Sequence, residues 1–246
     1  MDRTKENSPR ILSGAYWQLA AKNLRSTKML TFAALIVALR VAVKAFKIPL
    51  SAGLTLSFDC YVNSLGSLVY GPLMGLLVGA VSDTLGCILF PSGPYFLPFI
   101  LTEMSSSFLF GLFFWRRPLS VPRSLAAKFT VNVVCNMVMT SVLMKWYYYV
   151  IYGVEKAETY AIINLVRICK NLVLFPLEAL LIVLVLRAAI PVLKRFGFAQ
   201  VSADGLLLEK KHYVMIAVLF LLAVGLILLY VFWLADLISA HNIKWL

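Results

Sequence analysis

Residues 65–96 read LGSLVYGPLMGLLVGAVSDTLGCILFPSGPYF, an apolar run in which Gly71, Gly75, Gly79 and then Asp83 occupy every fourth position. Side chains four residues apart lie on one face of an α-helix. The stretch therefore predicts a helix with a smooth glycine face that finishes in a carboxylate. In a lipid environment, faces of small residues let neighbouring helices approach closely.

Composition indicates that this environment is a membrane. The chain has 246 residues, of which 61% are hydrophobic and 14% are charged, whereas soluble domains average about a quarter charged residues. Several apolar runs approach the roughly 20 residues that a membrane-spanning helix needs, and the clearest is 213–235, YVMIAVLFLLAVGLILLYVFWLA. We expect an all-α, multi-pass membrane protein without a soluble domain between its spans.

The apolar runs predict seven spans, near residues 29–46, 57–71, 72–90, 95–115, 126–151, 160–189 and 212–236. Three segments on one side, 1–28, 116–128 and 187–211, hold 15 of the 23 lysines and arginines. Cytoplasmic loops carry such an excess, so the N-terminus is expected in the cytoplasm and the C-terminus outside. The net charge of +12 is mostly this bias and does not indicate a nucleic-acid partner.

The residues that usually perform chemistry are scarce. The four cysteines are far apart and form no CxxC pair, and both histidines lie at span ends. This pattern counts against a metal site and against a membrane enzyme such as an intramembrane protease, which needs a nucleophile beside a base. No Walker A motif occurs, so partner subunits would have to hydrolyse any ATP. We expect no enzyme activity and no cofactor.

The first span has two contrasting faces. Ala34, Ala38 and Ala42 form one row at every fourth position, and Arg40 and Lys44 form another. At about 100° per residue, Arg40 lies nearly opposite the middle of the alanine row. The alanine face either packs inside the bundle or points outward to a partner protein, and the sequence favours neither interpretation.

Polar residues inside the other spans are costly and therefore mark candidate functional positions. Cations suit a carboxylate-bearing ligand, carboxylates suit a ring edge with several N–H donors, and aromatic rings can stack on a flat heterocycle. The polar rows of the fourth and fifth spans can also serve interhelical hydrogen bonds. The candidates on these grounds are Arg40, Lys44, Asp59, Tyr95, Phe96, Glu103, Asn136, Arg167, Lys170 and Asn171.

Three stretches resemble the folate-family substrate-binding (S) components of energy-coupling-factor (ECF) transporters. They are YWQLAAKNLRSTKMLTFAALIVALRVA (16–42), LVYGPLMGLLVGAVSDTLGCILFPSGPYFLPFILT (68–102) and NLVRICKNLVLFP (164–176). The middle stretch is similar to the strongest motif of that family. The resemblance covers roughly residues 16–190.

The resemblance implies a six-helix bundle that binds a vitamin from outside and docks on a transmembrane coupling protein with two cytoplasmic ATPases. It places the alanine row on the coupling protein, residues 90–96 with Gly93 in the substrate lid, and Arg167 and Asn171 in the site. It also gives Asp83 a structural place, where we expect it to cap the helix or to pair with a cation such as Lys44 or Lys47. The expected organisation is a cytoplasmic amphipathic tail (1–28), a six-helix substrate-binding domain (29–190), a cytoplasmic loop (191–211) and an extra C-terminal transmembrane helix (212–246).

Two positions depart from the family pattern. Glu103 stands where a small residue is usual, and Asp59 stands where apolar residues are usual, so both can alter the ligand. The expected function is the vitamin-binding subunit of an ATP-driven importer for folate or a related pterin, in the cell membrane. The alternative is an S component or stand-alone transporter for another small heterocycle, such as riboflavin, thiamine or a queuosine precursor.

Overall fold

The computed structural model describes residue 11 and residues 13–51, 54–91, 96–159, 165–198 and 210–230. Helices dominate this part of the chain, as expected for an all-α membrane protein. They are α1 (Gly14–Asn23), α2 (Thr27–Lys44), α3 (Asp59–Tyr70), α4 (Pro72–Leu89), α5 (Ile100–Phe114), α6 (Val121–Val131), α7 (Thr140–Tyr152), α8 (Val154–Thr159), α9 (Leu165–Arg195) and α10 (Lys210–Leu229). A 3-10 turn at Leu97–Phe99 precedes α5, and a π-helical segment at Asn132–Met139 joins α6 to α7.

The amphipathic tail forms α1, which meets α2 at an angle of 72°. The side chain of Ser13 caps α1 by accepting a hydrogen bond from the Tyr16 N–H at 3.4 Å. The Tyr16 ring is buried and lies 4.9 Å from the Trp115 ring, edge to face. The beginning of α2 and the end of α5 therefore lie at the same end of the bundle, which we call the α1 end.

The glycine row belongs to α4. Gly71 separates α3 from α4 with φ of 85°, a left-handed conformation that glycine adopts without strain, and Pro72 starts the new helix. A Cβ atom at Gly75 would lie 3.0 Å from the Ser107 carbonyl oxygen, and one at Gly79 would lie 2.8 Å from the Glu103 carbonyl oxygen. The row thus lets the backbones of α4 and α5 touch, as the sequence predicted.

A β-hairpin connects α2 to α3, which the all-α prediction missed. Strands β1 (Lys47–Ser51) and β2 (Leu54–Ser57) pair antiparallel, with Lys47 opposite Ser57. The sequence of β2, LTLS, alternates apolar and polar residues, the pattern of a half-buried strand; Leu56 is buried and Thr55 is exposed. We call the end of the bundle that carries this structure the hairpin end.

The last two long helices pack against each other. Helix α9 continues through Pro176 and Pro191 over 31 residues. Helix α10 has 20 described residues, which correspond to about 30 Å, and it packs along α9. Tyr230, just after α10, is buried with Val173 and Leu174 of α9, and Leu50 of the hairpin packs against the same cluster. Helix α10 therefore runs antiparallel to α9 and reaches the hairpin end.

Among the described residues, four helical segments are long and apolar enough to cross a membrane, or five if α1 and α2 form one bent span. Helix α3, with 12 residues, is shorter than a span, and the apolar part of α10 covers Val214–Leu229. The multi-pass character is therefore clear, while the predicted count of six core helices plus one stays a prediction.

Candidate functional site

Arg40 is the centre of a buried polar cluster. Its side chain is fully buried. Its Nε and Nη2 atoms donate to the two Asp59 carboxylate oxygens at 2.9 and 2.7 Å, and Nη2 also lies 2.6 Å from Glu103 Oε2. Two parallel N–H donors of one guanidinium group bind a carboxylate strongly and fix its orientation. Three predicted site residues on α2, α3 and α5 are thus brought together.

Asn63 and Ser107 also belong to this cluster; Ser107 is part of the polar row of the fourth span, whereas the sequence analysis did not single out Asn63. Arg40 Nη1 donates to Asn63 Oδ1 at 3.4 Å and to Ser107 Oγ at 3.3 Å. Ser107 Oγ in turn donates to Asn63 Oδ1 at 2.8 Å. The signal for Asn63 was present, because it follows Asp59 by four residues and therefore shares its face of α3.

The pairing of Asp83 predicted from the glycine row is confirmed. Lys44 Nζ donates to Asp83 Oδ1 at 2.9 Å, so the carboxylate at the end of the row joins α4 to α2. Asp83 is buried, and the Lys44 ammonium group compensates its negative charge. Lys44 is thus engaged with a structural partner beside the Arg40 cluster.

A second group of candidates lies on the helical segments after α5. Arg167 Nη1 donates to Ser141 Oγ at 3.1 Å, which joins α9 to α7, and Asn171 Nδ2 donates to the Arg167 carbonyl oxygen at 2.9 Å. Asn136 Nδ2 donates to Asn132 Oδ1 at 3.1 Å within the π-helical segment, and Lys170 is half-buried. Convergence of this group with Arg40 on one pocket stays a prediction.

Aromatic rings gather where the predicted lid reaches the bundle. The Phe96 ring lies 5.6 Å from Trp146, 5.4 Å from Tyr147 and 5.5 Å from Phe99, each pair edge to face. Phe96, at the end of the predicted lid, therefore contacts both α7 and the turn before α5. Gly93 and Tyr95, both predicted site residues, lie outside the described residues.

One assignment from charge was wrong. Lys128, counted with the cytoplasmic loop 116–128, has a side chain only 2% exposed, and its Nζ lies 2.9 Å from Glu178 Oε2. The same nitrogen lies 3.4 Å from Cys60 Sγ. A lysine near a predicted span end resembles a loop cation in the sequence, but this one points into the bundle, where Glu178 compensates its charge.

The alanine row lies on the opposite face of α2 from this interior. Ala34, Ala38 and Ala42 are all exposed, whereas Arg40 is fully buried. A cavity of about 930 Å³ borders this face between α2 and α9, with an apolar lining that includes Leu35, Leu39 and Val192. The contrast between the two faces of the first long helix is confirmed.

The bundle resembles known transport proteins. The sequence model of the ECF-type riboflavin transporter, S component, matches residues 23–193. A folate transporter, FolT, from Clostridium novyi (strain NT) is 24% identical over 159 residues, 65% of this chain and 88% of its own length. FolT from Leuconostoc mesenteroides is 24% identical over 153 residues, 62% of this chain and 80% of its own length.

A solved structure shows the same architecture. The crystal structure of FolT bound with folic acid matches with a TM-score of 0.51 and 25% identity, covering 62% of this chain and 88% of that one. The matched family model ends before α10, which begins at Lys210. Because that model spans most of the bundle, this multi-pass membrane chain belongs to the family of S components of ECF-type transporters, a family of transport proteins and not of enzymes.

Proposed function

We propose that this chain is the vitamin-binding subunit of an ATP-driven ECF importer, that its ligand is folate or a related pterin, and that it captures the ligand at the hairpin end, facing outside. The observation that supports it most is the polar Arg40 cluster enclosed in an apolar bundle, combined with relatives named as folate transporters. Intramembrane ionisable residues mark ligand or ion sites by default.

The test is equilibrium binding to the purified full-length protein. Folic acid, riboflavin, thiamine and queuosine precursors are titrated separately, with the quenching of tryptophan fluorescence as the readout. The proposal expects folic acid to bind most tightly. The alternative, a site for another heterocycle, is favoured by the family model described for riboflavin transporters, and tight binding of riboflavin without binding of folic acid would establish it.

The second part of the proposal is docking on a transmembrane coupling protein that carries two ATPases. The exposed row of Ala34, Ala38 and Ala42 and the bordering apolar cavity support this assignment. Small residues allow a partner helix to approach the backbone of α2 closely. A bulky side chain on this row would therefore prevent docking without disturbing the buried Arg40 face.

Ala38→Trp separates docking from ligand binding. We expect it to abolish uptake by cells and co-purification with the coupling protein while ligand affinity stays unchanged. The matched control is Ala126→Trp, since Ala126 is an exposed alanine on α6, away from the row. Normal uptake by the Ala38 variant would show that the row only faces lipid.

A further inference from the structure

The carboxylate of Glu103 is fixed in place and still accessible. Its Oε2 atom lies 2.6 Å from Arg40 Nη2, and its side chain is 30% exposed whereas that of Arg40 is 0% exposed. The backbone carbonyl oxygen of Glu103 lies 2.9 Å from Ser107 Oγ. The hydrogen bonds among the described residues use one lone pair of Oε2, so Oε1 and the second lone pair of Oε2 remain to accept from a ligand.

The accessible side faces the interior of the bundle. Arg40 of α2 joins Glu103 to Asp59 of α3, and the Glu103 backbone packs against Gly79 of α4. Leu101, two residues earlier on α5, is exposed on the opposite side of that helix. The carboxylate therefore lies on the side of α5 that faces α2, α3 and α4, and we call the space at its exposed part the recess.

The charges around this recess do not balance. Two cations serve three carboxylates here, because Lys44 pairs with Asp83 while Asp59 and Glu103 share Arg40. Lys128 and Glu178 nearby compensate each other. An unmatched negative charge inside a membrane bundle is costly unless hydrogen-bond donors reach it. The occupant of the recess should therefore bring donors to Glu103.

We propose that Glu103 selects the ligand by its ring edge: it accepts hydrogen bonds from the adjacent ring N–H and amino group of a 2-amino-4-oxopteridine and rejects ring edges flanked by carbonyl oxygens. This inference rests on the proposed function and narrows it. Arg40 acts as a positioning residue, because its hydrogen bond to Oε2 fixes the plane in which the carboxylate meets the ring. Glu103 is thus the specificity determinant between a pterin and a flavin.

The chemistry of the two ring edges differs sharply. The pterin edge presents two parallel donors that match the two oxygens of a carboxylate, the geometry of the strongest charge-assisted pairs. The corresponding edge of the isoalloxazine ring of riboflavin presents one N–H between two carbonyl oxygens, whose lone pairs would face the carboxylate. Sites built around a buried polar partner reject an analogue that lacks the matching group by large factors, since the partner is left unpaired.

The test uses Glu103→Gln in the full-length protein. Arg40 holds the oxygen at the Oε2 position, so the amide nitrogen takes the Oε1 position and turns its own donors toward the ring. We expect folic acid to bind about 100-fold more weakly, and riboflavin to bind no more weakly than to the wild type. Glu155→Gln is the matched control, because Glu155 is exposed on α8 and its variant should bind folic acid normally.

A second measurement changes the ligand as well as the protein. A folate analogue with hydrogen in place of the 2-amino group should bind the wild type much more weakly than folic acid. In Glu103→Gln the same change should cost little, because the two alterations remove one contact. Folic acid affinity within about twofold of the wild type in Glu103→Gln, or equal wild-type affinity for the analogue, would overturn the inference and leave the proposed function intact. Failure of the wild type to bind folic acid would overturn the proposed function itself, and this inference with it.

Discussion

Replacing Lys128 by methionine should destabilise the protein more than any comparable change of a surface lysine. The Lys128 side chain is 2% exposed and its partner Glu178 is 14% exposed, with 2.9 Å between Nζ and Oε2. Methionine fills most of the volume of lysine but leaves the Glu178 carboxylate buried without its cation. Removing one member of a buried ion pair costs about 3–5 kcal/mol.

This magnitude converts into a large shift of the unfolding midpoint. For a chain of this size, 1 kcal/mol corresponds to about 2–4 °C, so Lys128→Met should lower the midpoint by about 6–20 °C. The assay is thermal unfolding of the purified full-length protein in detergent, followed by tryptophan fluorescence. Lys22→Met is the matched control, since Lys22 is exposed on α1, and it should shift the midpoint by less than about 2 °C.

The double variant separates a charge effect from a loss of packing. In Lys128→Met with Glu178→Gln no unpaired charge remains, so most of the lost stability should return. Two results would show that the pair does not stabilise the interior. One is an unfolding midpoint of Lys128→Met within about 2 °C of the wild type. The other is a loss of stability in the double variant equal to the sum of the losses in the two single variants.

Three further changes test the ends of the site and the topology. Arg167→Ala should weaken folate binding by about 2–5 kcal/mol in titrations, and Arg167→Lys should recover little of this affinity because lysine lacks the paired donors. The control Arg123→Ala, at the start of α6, should leave folate affinity unchanged. If Arg167→Ala binds folate as tightly as the wild type does, Arg167 is not part of the site. A reporter fused after Leu246 should be active outside the cell, whereas a cytoplasmic signal would refute the seven-span topology. Tyr230→Ala loosens the cluster against which Leu50 of the hairpin packs, at the end of the bundle where we propose that the ligand enters, and it should speed ligand dissociation about tenfold. Leu221→Ala, at an exposed position of α10, should not, and equal dissociation rates for both variants would show that α10 does not support the hairpin.

Spacing along single helices predicted much of the arrangement. The glycine row and the opposite faces of the alanine row and Arg40 follow from helical periodicity, and both are confirmed. For Asp83 the expectation was a helix cap or a pair with Lys44 or Lys47, and the structure shows the pair with Lys44. These features depend on one helix and its nearest neighbour, so local geometry was sufficient.

The sequence did not predict which of the other charged side chains are buried or which of them pair with one another. The sequence marked Arg40, Asp59 and Glu103 as separate ligand candidates, but it could not show that they bind one another. Lys128 was assigned to a loop because charge statistics describe span ends and not side-chain direction. The hairpin was missed since its two strands are short and the surrounding composition favours helix.

The π-helical segment Asn132–Met139 has a consequence for comparing relatives. A π-helical turn is equivalent to one residue inserted into an α-helix, so removal of one residue there would rotate α7 by about 100° relative to α6. Trp146 and Tyr147 would then leave the Phe96 ring that they now contact. A homologue without this residue would present a different face of the same helix to Phe96, and its aromatic residues would correspond to these only when the alignment opens a gap inside the span.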